Sequence, residues 1–141
     1  GYTLLLMSAT VHSVAPHLMK AYPFDPIEDF TPISQIVGFP FVLVVAADSP
    51  YRTVGDLIAA AKQAPGSISY GSFGVGSAPY VVSESFAQTA GVKMLHVPYQ
   101  GASPAITDLL GGRIDFMIDS IPFFQISEYL FGDCFIIMML E

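Results

Sequence analysis

The chain is poor in positive charge and holds a single cysteine. Cys134 alone can form no internal disulfide, so cysteine usage leaves the redox compartment open. Only Lys20, Arg52, Lys62, Lys93 and Arg113 stand against twelve acids, a net charge of −7. That balance argues against nucleic acid or an anionic membrane surface as partner. It also means that an anionic ligand must be held locally, because the overall field opposes its approach. No apolar run reaches the roughly 20 residues of a membrane-spanning helix. The longest, Cys134 to Leu140, fits a buried strand better. A basic start, an apolar core and a small-residue cleavage site are also missing, so no signal peptide is read here. The opening Gly1-Tyr2-Thr3-Leu4-Leu5-Leu6-Met7 reads as the inside of a strand, and upstream sequence is expected to be missing.

What is present is globular in character: 52% of residues are apolar and 12% charged, over 141 residues. Strand-like runs alternate with helical patterns. Tyr2–Met7 reads as a buried strand, followed by a helix near Ser13–Lys20 with Pro16 in its first turn. Phe30–Val37 and Phe41–Ala47 are strand candidates separated by Gly38 and Pro40. Thr53–Ala64 reads as a helix capped by Thr53, with Asp56 near its positive end and Leu57, Ile58 and Ala61 on one face. Ser67–Tyr70 (strand), Ala78–Thr89 (helix), Met94–Val97 (strand), Ser103–Leu110 (helix) and Ile114–Ile118 (strand) follow. Gly111-Gly112 ends the last helix in the left-handed conformation. The alternation predicts an α/β fold, a mainly parallel sheet with helices on both faces.

The glycine-rich turn Gly71-Ser72-Phe73-Gly74-Val75-Gly76-Ser77 is the best site candidate. A strand turning sharply into a helix aims several unpaired N–H groups at one spot, and the helix dipole adds positive potential there. Glycines let a ligand approach the backbone, and the hydroxyls of Ser72 and Ser77 are potential donors, so the turn can cradle an anion without a basic side chain. Against this, Ser77 can be a plain helix cap. The turn lacks the lysine of a phosphate loop, and Pro79 stands where a dinucleotide fingerprint has its third glycine. Ser8-Ala9-Thr10 and Pro98–Ser103 are two further strand-to-helix turns. Ligands gather at the carboxyl ends of parallel strands, and Asp119 falls at the same edge; taken alone it reads first as a helix cap or a solvated acid.

Catalytic patterns are weak. No G-x-S-x-G elbow is present. His12 and His17 flank Pro16 and do not share a helix face as zinc ligands would. His96 is most simply a strand histidine with a local hydrogen bond, and an apolar run raises the pKa of Cys134. No metal or cofactor is expected.

Four strings occur in order: Pro23-Phe24-Asp25-Pro26-Ile27-Glu28-Asp29-Phe30, Arg52-Thr53-Val54-Gly55-Asp56-Leu57-Ile58, His96-Val97-Pro98-Tyr99-Gln100-Gly101 and Thr107-Asp108-Leu109-Leu110-Gly111-Gly112. Together they resemble the substrate-binding receptors of tripartite tricarboxylate transporters, the Bug family, from Gly1 to about Pro122. The resemblance implies a periplasmic-binding-protein-like (type II) fold, incomplete here. It also implies a periplasmic receptor that closes around a small carboxylate and delivers it to membrane transporter subunits. Such receptors hold ligand with backbone amides, hydroxyls and water. By resemblance, Ser8, Ala9 and Thr10 match one contact loop, Ser72, Gly74, Gly76 and Ser77 another, and Asp119 a position at the cleft edge.

Read this way, residues 1–40 are a remnant of the first solute-binding domain, 41–125 most of the second, and 126–141 an atypical apolar tail. The first strand and glycine-rich loop of the first domain, and the segment returning to it, are expected to be absent. The tail is unlike the family, as in a truncated or misassembled gene product. Its apolar residues are expected to cover an exposed sheet edge, in this chain or in a second copy. The competing readings are a small α/β enzyme using the Gly71–Ser77 amides as an oxyanion hole and a nonfunctional relic.

Overall fold

The computed structural model describes residues 3–121 and 134–140. A sheet of five strands forms its centre: β1 (Phe41–Ala46), β2 (Ser69–Ser72), β3 (Leu95–Pro98), β4 (Phe116–Ser120) and β5 (Cys134–Leu140), in the spatial order β3-β2-β4-β1-β5. Five helices accompany it: α1 (Ala9–Ser13), α2 (Ala15–Leu18), α3 (Val54–Gln63), α4 (Ala78–Ala90) and α5 (Ala102–Leu110). The fold is α/β as expected. The sheet is mixed rather than mainly parallel, because β2 runs parallel to β3 and β4 while β1 runs antiparallel to β4 and β5.

Alternation along the strands sorts side chains onto two faces. One face buries Leu43, Val45, Tyr70, Phe116 and Ile118 against Leu57 and Ala61 of α3, with Val82 and Phe86 of α4 at its margin. The other buries Val42, Val44, Ile114 and Met117 against Ala105 and Leu109 of α5. Fully burying each large apolar side chain contributes about 1.5–3 kcal/mol, so these two clusters dominate the stability of the sheet.

Local chemistry explains the helices. Asp56 N–H donates to Thr53 Oγ1 at 3.1 Å and Thr53 N–H donates to Asp56 Oδ2 at 2.9 Å, a reciprocal capping box. Leu57 and Ala61, four apart, then face the core. In α4 the buried residues are Pro79, Ser83 and Ala87, a narrow stripe of small side chains that brings the helix close to the sheet. Gly91 ends α4 at φ 65°; after α5, the left-handed position is Gly112 (φ 64°) and not Gly111.

Two expected strands do not form. Residues 3–7 and 30–37 carry no regular structure, and Leu4, Leu6, Ile33 and Ile36 are 83%, 80%, 79% and 77% exposed. An apolar run becomes a strand only against a partner ladder, and the sheet edges, β3 and β5, take neither run. The expected helix Ser13–Lys20 is instead the two short turns α1 and α2. Between them and β1, Asp25 Oδ1 accepts from Ile27 and Glu28 N–H, Asp29 Oδ2 accepts from Asp25 N–H, and Phe24 stacks edge-on against Phe30.

The tail does take a sheet edge, within its own chain: β5 pairs along β1 from Phe41↔Leu140 to Ala46↔Cys134, with a register shift between Leu43 and Val44. The residues before β5, including Phe123, Phe124 and Phe131, lie outside the described residues. Without β5, β1 becomes an open edge with all its ladder groups unpaired on one side. A chain ending at Gln125 should therefore self-associate at lower concentration than the full chain in light scattering. Equal monomeric behaviour of the two would show that β5 protects nothing.

Candidate functional site

Strand direction decides which loops meet. Because β2, β3 and β4 run the same way, the loop 73–77 after β2, the turn 99–101 after β3 and the end of β4 at Asp119 and Ser120 lie at one edge. The antiparallel β1 brings its beginning there, pairing Phe41 with Ser120 and Val42 with Asp119. Arg52 follows β1, Lys93 precedes β3 and Arg113 precedes β4, so these three cations fall at the opposite edge. There Arg113 pairs with Asp108 at 2.6 Å, and Arg52 donates to Ala47 O at 2.9 Å. None of these three can draw an anion to the loop edge, which leaves backbone donors as the groups gathered there.

The loop itself is tightly bonded. Ser72 is fully buried, its Oγ 2.6 Å from His96 Nε2, and it accepts from Gly74 N–H at 3.1 Å. Ser77 Oγ donates to Gly74 O at 2.7 Å and accepts from Tyr80 N–H at 3.4 Å, capping α4. Gly74 and Gly76 have φ of 101° and 89°, a region that L side chains rarely adopt. Gly71, by contrast, is glycine for space: a Cβ there would stand 2.6 Å from Ile114 Cδ1 and 3.2 Å from Met117 Cγ. The two serine hydroxyls expected to reach a ligand are thus engaged inside the loop. Gly74 N–H is taken by Ser72 Oγ and Ser77 N–H by Gly74 O, so what the loop can offer outward is the amides between them, Val75 and Gly76, just ahead of the N-terminus of α4, where the helix dipole concentrates positive potential.

Asp119 is a residue of β4 rather than the position after it, and only 8% exposed. Its Oδ1 accepts from Ser120 N–H at 2.7 Å. Burial pushes its carboxyl up to about 6, and only the hydrogen bonds from Ser120 oppose that rise. Ser8 and Ala9 are exposed at the start of α1, which lies against α4, the helix that the loop opens into. The first turn and the loop therefore share a neighbour, with Thr10 half-buried beside it.

Sequence reasoning missed the support beneath the loop. Tyr70 stacks on His96 (centroids 5.1 Å apart, planes at 25°), Tyr80 leans on the same imidazole at 4.8 Å, and the Tyr70 hydroxyl donates to Glu84. The Tyr70–Ser72 spacing puts both on one face of a strand, but the register that delivers His96 to them is not written locally. The bond expected of His96 is present, and its partner is Ser72. An enzyme built on this loop needs a base near Ser72, and His96 supplies one at 2.6 Å. The pair is nevertheless no nucleophile, because Ser72 is sealed from any substrate and its oxygen already accepts from Gly74.

A groove of about 720 Å³ runs between α2 and α4, lined by Leu18, Tyr80, Glu84, Gln88, Lys93 and Met94 among others. None of the expected site residues lines it. The strand edge, where several backbone donors converge, is the stronger candidate.

A family model described as the tripartite tricarboxylate transporter family receptor matches residues 1–129. A Pseudomonas sp. protein from the tcbD–tcbE intergenic region is 40% identical over 121 residues, which is 86% of this chain and 36% of that protein. The chain thus spans about a third of the length of such curated relatives. Among solved structures, the periplasmic binding protein BugD superposes with a TM-score of 0.77 at 28% identity, over 90% of this chain and 42% of that one. An R. palustris protein solved with adipate superposes with a TM-score of 0.76 at 32% identity, over 85% of this chain and 40% of that one.

The Asp119 environment fixes a pH dependence. The folded state keeps the Asp119 proton up to about pH 6, whereas an ordinary aspartate loses it near 3.8. Between those values the folded state binds more protons, so this group's contribution to stability falls as pH rises from about 4 to about 6. Asn at this position keeps an acceptor for Ser120 and carries no charge. Asp119→Asn should match the parent near pH 4 and exceed it at pH 7 by up to about 3 kcal/mol, at about 1.4 kcal/mol per pKa unit. Denaturant unfolding at both values checks this; a constant difference across pH would show that the Asp119 carboxyl is not destabilised by its surroundings.

Proposed function

The chain belongs to the tripartite tricarboxylate transporter receptor family, and from this we propose that it is the ligand-gripping part of a periplasmic receptor for a small organic carboxylate. The family and its structural neighbours are substrate-binding receptors rather than enzymes, and neighbours such as BugD are periplasmic binding proteins. The observation that carries the reading is the loop edge: the amides of Val75 and Gly76, held by the bonded Gly74 and Ser77 at the head of α4, beside Asp119, with Arg52, Lys93 and Arg113 at the far edge. A carboxylate is the anion such a cradle suits, since it accepts several N–H bonds without needing a cation.

Gly76 then contributes a backbone donor beside Val75, the N–H groups of Gly74 and Ser77 hold the turn in shape by bonding to Ser72 Oγ and Gly74 O, and Ser72 shapes the loop from beneath. Asp119 accepts from a ligand hydroxyl or ammonium, or donates to a carboxylate when protonated. Ser8, Ala9 and Thr10 approach from the side of α4. The same proposal assigns residues 1–40 to a first solute-binding domain, 41–125 to the second and 126–141 to an apolar tail. Delivery goes to membrane transporter subunits, as the family description implies.

Adipate, the ligand of the R. palustris neighbour, is the first probe. Isothermal titration should detect saturable adipate or related dicarboxylate binding. Gly74→Ala should weaken it about ten- to a hundredfold, the equivalent of one N–H bond to a charged acceptor. No Cβ clash contributes, because the space around Gly74 is open and only its φ of 101° is disturbed. Unchanged affinity in that variant would remove the loop from the site, and no binding across a panel of di- and tricarboxylates would sink the reading.

A further inference from the structure

We propose that His96, in its neutral form, is a positioning residue that sets the geometry of the Gly74–Ser77 loop through Ser72, which makes the loop sensitive to acid. The proposal rests on the carboxylate reading only for what the loop then grips; the positioning itself is a matter of hydrogen bonds.

Ser72 Oγ has one proton and two lone pairs. Gly74 N–H occupies one lone pair at 3.1 Å, and His96 Nε2 lies 2.6 Å away. Only one arrangement satisfies all three groups: the imidazole proton sits on Nδ1, Nε2 accepts the serine O–H, and the serine oxygen accepts Gly74 N–H. Gly74 is held at its other end as well, because Ser77 donates to Gly74 O from both N–H (3.2 Å) and Oγ (2.7 Å). A single chain of bonds therefore runs from β3 through β2 and the loop to the cap of α4.

Protonating His96 breaks this pattern. Nε2–H would then donate into Ser72 Oγ and take its second lone pair. The serine proton would be left without its acceptor at a position with no exposure to solvent. Rotating the serine to find another acceptor releases Gly74 N–H and lets the loop move. The groups facing the imidazole are Tyr70 and Ser72 on β2 and Tyr80 and Glu84 on α4. Glu84 is the one charge among them, and it is engaged by the Tyr70 hydroxyl. Burial lowers the His96 pKa against the opposing pull of Glu84. The neutral form is favoured near pH 7, and the loop loosens on acidification below the ordinary histidine range.

The test follows Gly74 and His96 in one ¹⁵N-labelled full chain as pH is lowered. The imidazole nitrogens should report the Nδ1–H tautomer, and the Gly74 amide resonance should move with the same midpoint as the His96 ring. Ser72→Ala and His96→Phe should uncouple the amide from pH. His96→Gln, which keeps an acceptor near the Nε2 position, should hold the amide at its neutral-pH position throughout. With adipate as probe, wild-type affinity should fall about tenfold or more across the His96 midpoint and stay flat in His96→Gln. An Nε2–H tautomer, or a Gly74 amide indifferent to His96, overturns the proposal, and the wild-type titration alone decides this even if His96→Phe fails to fold. A Gly74 amide that tracks His96 in a chain binding no carboxylate supports the positioning role and overturns the carboxylate reading of the loop.

Discussion

The passage from β2 into α4 has to meet two demands within five residues. The strand must end with its backbone groups satisfied, and the helix must begin with several N–H groups pointing outward. The buried hydroxyl of Ser72 reconciles them by bonding inward to His96 and forward to Gly74. Ser77 closes the other side of the turn on Gly74 O and caps α4. The pose of the loop, the entry angle of α4 and the use of the edge as a site all depend on that joint. Beneath it the rings of Tyr70 and Tyr80 pack against His96.

Electrostatics follows from the same topology. A chain of net charge −7 repels small anions at long range, and three of its five cations flank strand ends away from the loop. Arg113 is consumed by Asp108, which also accepts from the Tyr99 hydroxyl at 2.9 Å. Attraction at the loop edge must then be short-ranged and directional, the kind that oriented amides provide. Asp119 sharpens the point, since a buried carboxyl with a raised pKa resists a second negative charge unless it keeps its proton.

Much of this is legible in the sequence, for reasons that differ by element. α3 can be read because its cap and its apolar face are local, at Thr53, Asp56, Leu57 and Ala61. The strings that mark the family prove largely to be braces. One forms the capping box of α3, one the Asp25–Asp29 turn, and the other two meet where Tyr99 and Arg113 both bind Asp108. The runs 2–7 and 30–37 mislead because apolar composition cannot announce whether a partner strand is at hand. Sheet direction is hidden for a similar reason: β1 reads like any buried strand, and only pairing with β4 reveals that it runs the other way. The hydroxyls of Ser72 and Ser77 read as ligand donors because both face a turn, yet each finds an internal partner first. His96 reads as a strand histidine with a nearby partner, and that partner is near in space but 24 residues away in sequence.

Oriented amides at the β2–α4 turn, rather than basic side chains, are what grips a carboxylate in this account. Backbone amide mapping in the labelled chain, titrated with adipate and in parallel with its neutral diamide, tests that directly. The account predicts that adipate shifts the amides of Gly74, Val75, Gly76 and Ser77, with Ser120 responding beside them, and that the diamide leaves them in place. Shifts centred instead on the groove residues Leu18, Tyr80 and Lys93, or equal responses to acid and diamide, would contradict it.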